Sequence, residues 1–298
     1  SSLVRAVGGV DAVVHLGEIV GDPACALDEQ ITLEINLAAT RMAADVAKGF
    51  GVRRFVYTSS CSVYGASEGL VDEGSELNPV SLYARTKIAA ERALLGLRGN
   101  EFHPIIVRLA TVYGLSHRPR FDLVVNTLAG RAYTDHEITV FGGSQWRPFV
   151  HVRDVARALL LCLEKPLELV EGEVFNVGSD AQNYTIQQIA ECVAAEVPDT
   201  RVYVATGSPD SRNYRVSFGK IKRELGFEPQ RHVRDGIREI VAALASGDIT
   251  TYHDPRHNNV EYLRAQYASG HVRAYHPALL YSSDSFVADE LLVPASAS

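Results

Sequence analysis

Cysteine is scarce and unpatterned in this chain: Cys25, Cys61, Cys162 and Cys192 are all that 298 residues contain. Their spacing suits neither a metal-ligand set nor a secreted disulfide scaffold, so the expectation is reduced thiols, a cytosolic setting and no metal site. No apolar run approaches the roughly 20 residues that cross a bilayer, and no charged-then-apolar leader opens the chain. A soluble, cytoplasmic protein with no membrane partner is expected. Basic residues are not in excess either, since 29 Lys and Arg face 36 Asp and Glu for a net charge of −7. With both signs scattered, the footprint of a nucleic-acid binder is missing, and a small-molecule substrate is favoured. Repeats and low-complexity tracts are absent. The chain opens on Ser1 and enters structure almost at once, from which an incomplete upstream end is expected.

What is present alternates between two periods. Asp11 to Leu16 is a short apolar run between glycines, the pattern of a strand buried on both faces. From Glu29 to Lys48, Ile31, Ile35, Met42, Ala43 and Val46 recur at helical spacing, with Gly49 and Gly51 as the stop. Arg53 to Ser59 reads as a second strand, Leu82 to Leu97 as a helix and Pro104 to Leu109 as a third strand. Strands and helices in this alternation predict right-handed crossovers and a doubly wound, Rossmann-like parallel sheet of the α/β class. Ligands bind such sheets at the carboxyl ends of the strands, so Gly17-Glu18, Ser59-Ser60 and Ala110-Thr111 should line one crevice. Residues 1–110 are read as a partial dinucleotide-binding domain. Residues 111–249 are read as a smaller substrate lobe, interleaved with elements returning to the sheet: helices near 123–131, 152–163, 186–195 and 218–225, and strands at 138–141 and 173–179. Residues 250–298 are read as an irregular tail.

Tyr83 and Lys87 stand four apart on the predicted helix, hence on one face. A phenol with a pKa of about 10 is a poor base at neutral pH, and a neighbouring ammonium stabilises its phenolate. Such a pair also arises by chance, but the chain has only five lysines against 24 arginines. Ser60, at the end of the second strand, is placed to hold a substrate oxygen that Tyr83 deprotonates; the alternative is that Ser59 and Ser60 merely cap the strand. His15 and His151 read as hydrogen-bonded core histidines, and Asp154 as a helix-capping residue.

The runs VVHLG, INLAAT, YTSSCSVYG, YARTK, VRLATVYG and RPFVHVRDVARAL, in that order over residues 8–245, resemble the extended short-chain dehydrogenase/reductases, in particular their NAD-dependent nucleotide-sugar epimerase/dehydratase group. The resemblance implies Ser60, Tyr83 and Lys87 as the catalytic set, with Lys87 also on the nicotinamide ribose. It implies cofactor contacts from Leu16, Gly17, Glu18, Asn36, Ser59, Leu109 and Ala110, and substrate contacts from Cys61, Ser62, Thr111 and Arg147, the last on a diphosphate that a forked guanidinium suits. For Arg147 the phosphate role is favoured over that of an ordinary turn residue, whereas Asp210 and Arg212, near the family's substrate loop, are equally compatible with a salt bridge. The implied cofactor is NAD, with NADP open. The implied substrate is a nucleotide-sugar and the implied assembly a homodimer.

Two departures stand out. The family's Gly-x-x-Gly-x-x-Gly turn, which brings the backbone up to the cofactor pyrophosphate, is not in the chain, and the DAVVHL strand resembles the fourth of the family's sheet; the expectation is that the first three strands are lacking. The Asp-Glu pair of the family's dehydratases is replaced by Cys61 and Ser62, which disfavours dehydration. The expected reaction is therefore epimerisation, in which a sugar hydroxyl is oxidised to a ketone by hydride transfer and re-reduced, with Tyr83 as acid and base. A ketosugar reductase and a non-catalytic binding protein of the same fold remain alternatives.

Overall fold

The computed structural model describes residues 2–205 and 212–271. Its centre is a four-stranded, wholly parallel sheet of β1 (Ala12–His15), β2 (Arg54–Ser60), β3 (His103–Leu109) and β4 (Val174–Val177), paired in that order. Sequential strands lie side by side, as crossover connections produce.

Alternation along each strand supplies two cores. Phe55, Tyr57 and Ile106 point to one face, where they meet Ala43, Ala44 and Ala47 of the Ala39–Gly49 helix and Ala90 and Leu94 of the Leu82–Leu95 helix. Val56, Ile105 and Val107 point to the other, against Val155, Ala158 and Cys162 of the Val152–Glu164 helix and Phe175 of β4. Both faces of the inner strands β2 and β3 are covered, which is why they read as nearly unbroken apolar runs, while the edge strand β1 is half-buried. A third core lies in the smaller lobe, where Leu128, Ala129 and Ala132, Ile189 and Val193, and Ile237 and Ile240 bring three helices together.

The expected helices and strands form within a few residues of their predicted limits, and the structure adds to and corrects them. The helix expected over 29–48 is interrupted by a π turn at Glu34–Ala38. Strands form at Ala66–Val71 and Trp146–His151, where loop and turn were expected; the first is mostly exposed and pairs with Asn213–Val216, a distant partner. A helix at Val233–Ser246 went unread although Val233, Ile237, Ile240 and Leu244 carry its period, with Gly247 at φ 82° closing it. The tail is not irregular throughout: Asn259–Ala268 is a helix, its Val260 and Leu263 packed with Ile19 and Ile31.

His15 and His151 are tied by hydrogen bonds, Nε2 to Thr40 Oγ1 at 3.0 Å and Nε2 to Glu239 Oε2 at 2.8 Å. The cap of the Val152–Glu164 helix is His151, whose Nδ1 accepts from the Arg153 N–H at 3.2 Å. Asp154 instead clamps the smaller lobe: its buried carboxylate accepts from the backbone N–H groups of Gln230 and Arg231, both at 2.9 Å, and from Arg157 at 2.9 Å. Removing it leaves two part-buried backbone donors without their acceptor. Asp154→Ala is expected to cost about 2–4 kcal/mol, read as a lower urea midpoint, with Arg157→Ala costing far less because its side chain is 38% exposed.

Candidate active site

Strand β1 ends at His15 and runs into Leu16-Gly17-Glu18 at the carboxyl edge of the sheet. Leu16 is 61% exposed there, and a Cβ on Gly17 would meet nothing within 4 Å, so this turn offers backbone and an apolar side chain to an open crevice. It is held from behind by Asn36, which the π turn brings inward: its Oδ1 accepts from the Ile19 N–H and its Nδ2 donates to the Ile19 carbonyl, both at 2.8 Å. Such turns inside helices often mark functional positions. Asn36 thus shapes the turn, its Nδ2 also meeting the Cys25 sulfur at 3.8 Å.

The Leu82–Leu95 helix starts at this edge. Ser81 caps it, its hydroxyl accepting from the Ala84 N–H at 3.1 Å and donating to Asp22 at 2.8 Å. Tyr83 and Lys87 follow one turn apart, with the Lys87 Nζ 5.7 Å from the Tyr83 ring centre. Ser60, at the end of β2, hydrogen-bonds the Tyr83 phenol and accepts from the Ser62 N–H at 3.1 Å. Sequence-distant Ser60, Tyr83 and Lys87 therefore converge.

A fourth group joins them. The Glu18 carboxylate, expected only as backbone, forms an ion pair with Lys87 and accepts from the Tyr57 hydroxyl at 2.6 Å. Both charged side chains are buried, at 3% exposure for Lys87 and 2% for Glu18. Lys87 also donates to the Thr58 carbonyl at 2.5 Å. Burial pulls the ammonium below its ordinary pKa while Glu18 opposes the shift; burial, then Glu18, pushes the Tyr83 phenol above its own, with the Ser60 hydrogen bond opposing.

Of the other expected positions, Ser59 and Cys61 are turned onto partners in the core. Ser59 points away from the crevice and donates to Glu91, which forms a buried ion pair with Arg108 at 2.7 Å; Arg108 in turn donates to the Tyr64 hydroxyl at 3.0 Å. The Cys61 thiol is 1% exposed and donates to the Arg108 carbonyl at 3.3 Å, and burial holds it protonated. Ser62 is buried beside it, with a hydroxyl that finds no partner among the described residues. Leu109, Ala110 and Thr111 lie at the end of β3, with the Ala110 N–H on the Val177 carbonyl at 3.0 Å. Arg147 is buried over the Tyr214 ring and donates to the carbonyl oxygens of Trp146 and Arg212. Arg212 pairs with Asp22 at 2.9 Å, the carboxylate that Ser81 also holds. Asp210 lies outside the described residues. Asp22 was missed in the sequence, where a single acid before Pro23 gave no signal. A cavity of about 700 Å³ opens beside Glu18, between Val20, Arg118 and the arm that carries His257 and Tyr262.

The family model for the NAD dependent epimerase/dehydratase family matches residues 1–178. The chain belongs to that family. The UDP-glucuronate 4-epimerase of Thermodesulfobacterium geofontis is 28% identical over 239 residues, 78% of this chain and 72% of that protein. The dTDP-glucose 4,6-dehydratase of an Actinoplanes species is 30% identical over 215 residues, 70% of this chain and 65% of that one. Among solved structures, the UDP-glucuronic acid 4-epimerase of Bacillus cereus in complex with UDP-glucuronic acid and NAD superposes with a TM-score of 0.75 at 25% identity, covering 83% of this chain and 79% of that one. The open Leu16-Gly17 turn, and the one ammonium N–H that Lys87 keeps beyond Glu18 and Thr58, fit the nicotinamide riboside end of the family's cofactor.

The buried hydroxyls Tyr57, Tyr64, Tyr113 and Tyr214 are all pushed above the ordinary phenol range, chiefly by burial. Unfolding therefore releases protons above pH of about 10, and the stability these phenols lend is full below that pH and lost above it. As pH rises above about 10 the unfolding free energy is expected to fall by up to about 1.4 kcal/mol per pH unit for each phenol, read as a lower urea midpoint, with the buried phenols contributing tyrosinate absorbance only as the chain unfolds.

Proposed function

We propose that this chain is an epimerase of a nucleotide-linked sugar, and that Tyr83 is the acid and base that moves the proton of the reacting hydroxyl. The observation carrying this is the convergence of Ser60, Tyr83 and Lys87 at the carboxyl edge of the sheet, next to an open backbone turn. NAD held at this edge would supply the hydride acceptor, and then donor, for the carbinol carbon. Ser60 orients the reacting oxygen against the phenol, and the remaining Lys87 N–H would hold the cofactor ribose. Leu109 and Ala110 would pack beside the nicotinamide, and Arg147 and Arg212, joined through the Arg212 carbonyl, would flank the diphosphate.

Epimerisation is favoured over dehydration by the two residues after Ser60. Elimination of water needs an acid and a base on the sugar, whereas the Cys61 thiol is turned into the core on the Arg108 carbonyl and Ser62 carries no titratable group. The relatives named for UDP-glucuronate make a UDP-hexose or UDP-hexuronate the first substrate to try. A homodimer through the Ala39–Gly49 and Leu82–Leu95 helices belongs to the same reading, with Met42 exposed on the first.

Incubation with UDP-glucuronate or UDP-glucose and NAD is expected to give the 4-epimer, seen as a second anomeric proton resonance, with no net reduction of NAD. Tyr83→Phe should lower turnover by about 10²–10⁴-fold while leaving nucleotide-sugar affinity nearly unchanged; turnover within a few-fold of the parent overturns the assignment. Light scattering at micromolar concentration should give twice the chain mass, and a monomer overturns the dimer.

A further inference from the structure

In the Ser60–Tyr83–Lys87 arrangement, nothing in the chemistry so far uses the carboxylate of Glu18. Its position is nevertheless specified from three elements: Lys87 on the Leu82–Leu95 helix, Tyr57 on β2 at 2.6 Å, and Thr40 on the Ala39–Gly49 helix at 3.5 Å. The turn that carries it is locked by the two Asn36 hydrogen bonds on Ile19. A carboxylate with 2% exposure and a fixed backbone does not wander to solvent.

We propose that Glu18 is a positioning residue for the proton-transfer pair: its carboxylate anchors and charge-balances Lys87, and thereby keeps Tyr83 in the phenol form. This rests on the reading of Tyr83 as the acid and base. An ammonium four residues along the helix normally favours the phenolate. Here the positive charge is met at contact distance by a negative one, with the Thr58 carbonyl on a second N–H, so the field reaching Tyr83 from Lys87 is largely cancelled.

The other ionisable groups around the cluster do not undo this balance. His15 on β1 is pushed below its ordinary value by burial and by Lys87, and so stays neutral. Tyr57 and Cys25 are held protonated by burial, the latter pushed up to about 12. Glu91 is occupied by Arg108 at 2.7 Å, and Arg120 by Asp122 at 2.7 Å. Asp22, which faces Cys25, is shared by Ser81 and Arg212. For Tyr83, Glu18 is the largest charge effect, and it acts against ionisation.

The test is a pH titration of the intact chain labelled with ζ-¹³C tyrosine, with the Tyr83 resonance assigned by its loss in Tyr83→Phe. In Glu18→Gln, which preserves shape and an acceptor for Lys87 but removes the charge, Tyr83 is expected to ionise at least one pH unit lower, a tenfold larger phenolate fraction at a given pH. Glu18→Asp, which keeps the charge one methylene further back, should shift it the same way by less, and it carries the test if the glutamine variant does not fold. A Tyr83 resonance that titrates unchanged in the folded variant overturns the proposal and leaves Glu18 a structural group. The readout needs neither cofactor nor turnover, so an inactive chain with a shifted Tyr83 refutes the epimerase reading alone. In an active one, the acid limb of kcat/KM should move down with the resonance.

Discussion

Burying an ammonium costs several kcal/mol unless an opposite charge and hydrogen-bond acceptors meet it. Lys87 is met by the Glu18 carboxylate and the Thr58 carbonyl, and satisfying it draws together the ends of β1 and β2 and the start of the Leu82–Leu95 helix. The turn that carries Glu18 to Lys87 is held by Asn36 on Ile19, and Asn36 sits in the π turn of its helix. Ser60 and Tyr83 take their separation from the same arrangement. The candidate active site is thus a by-product of balancing one buried charge.

Behind it lies a second buried polar system. Ser59, Glu91, Arg108, Tyr64 and Asn176 are joined in one chain of hydrogen bonds that crosses from the Leu82–Leu95 helix through β3 to β4, with the Tyr64 hydroxyl on Asn176 at 2.8 Å. A satisfied network of this kind is rigid, since breaking any member strands its neighbours in a medium that penalises unpaired polar groups. It fixes the sheet edge on which Ser60 sits, and it explains why Ser59, adjacent in sequence to a crevice residue, is turned inward: successive strand residues face opposite sides of the sheet.

The smaller lobe is attached by equally specific polar clamps. Asp154 holds the chain at 230–231, and Asp22 joins the start of the Leu82–Leu95 helix, through Ser81, to Arg212. Arg212 in turn meets Arg147 through its carbonyl, so the basic side chains proposed for the diphosphate are registered against the same helix that carries Tyr83 and Lys87. The helix at Asn259–Ala268 closes the other side, with the Asn259 Nδ2 donating to the Val20 carbonyl at 3.0 Å.

Local periodicity was enough for the parallel sheet and its crossover helices, because strands buried on both faces must be apolar throughout and amphipathic helices must repeat at 3.6 residues. The Tyr83–Lys87 pairing was legible for the same reason: a helix puts residues four apart on one face whatever surrounds them. The Val233–Ser246 helix carried its signal and could have been read. Strand Ala66–Val71 could not, because it is mostly exposed and owes its existence to a partner at Asn213–Val216, far away in sequence. Nor does any pattern in the chain distinguish the Ser59 hydroxyl, satisfied by Glu91, from the Ser60 hydroxyl, turned to Tyr83. By itself the sequence determined the strands and helices whose apolar period is local, and the spacing that sets Tyr83 and Lys87 on one helix face. Only the tertiary structure decided that Glu18 would meet Lys87, because Coulomb and hydrogen-bond energies depend on distances of a few ångströms between residues 69 positions apart.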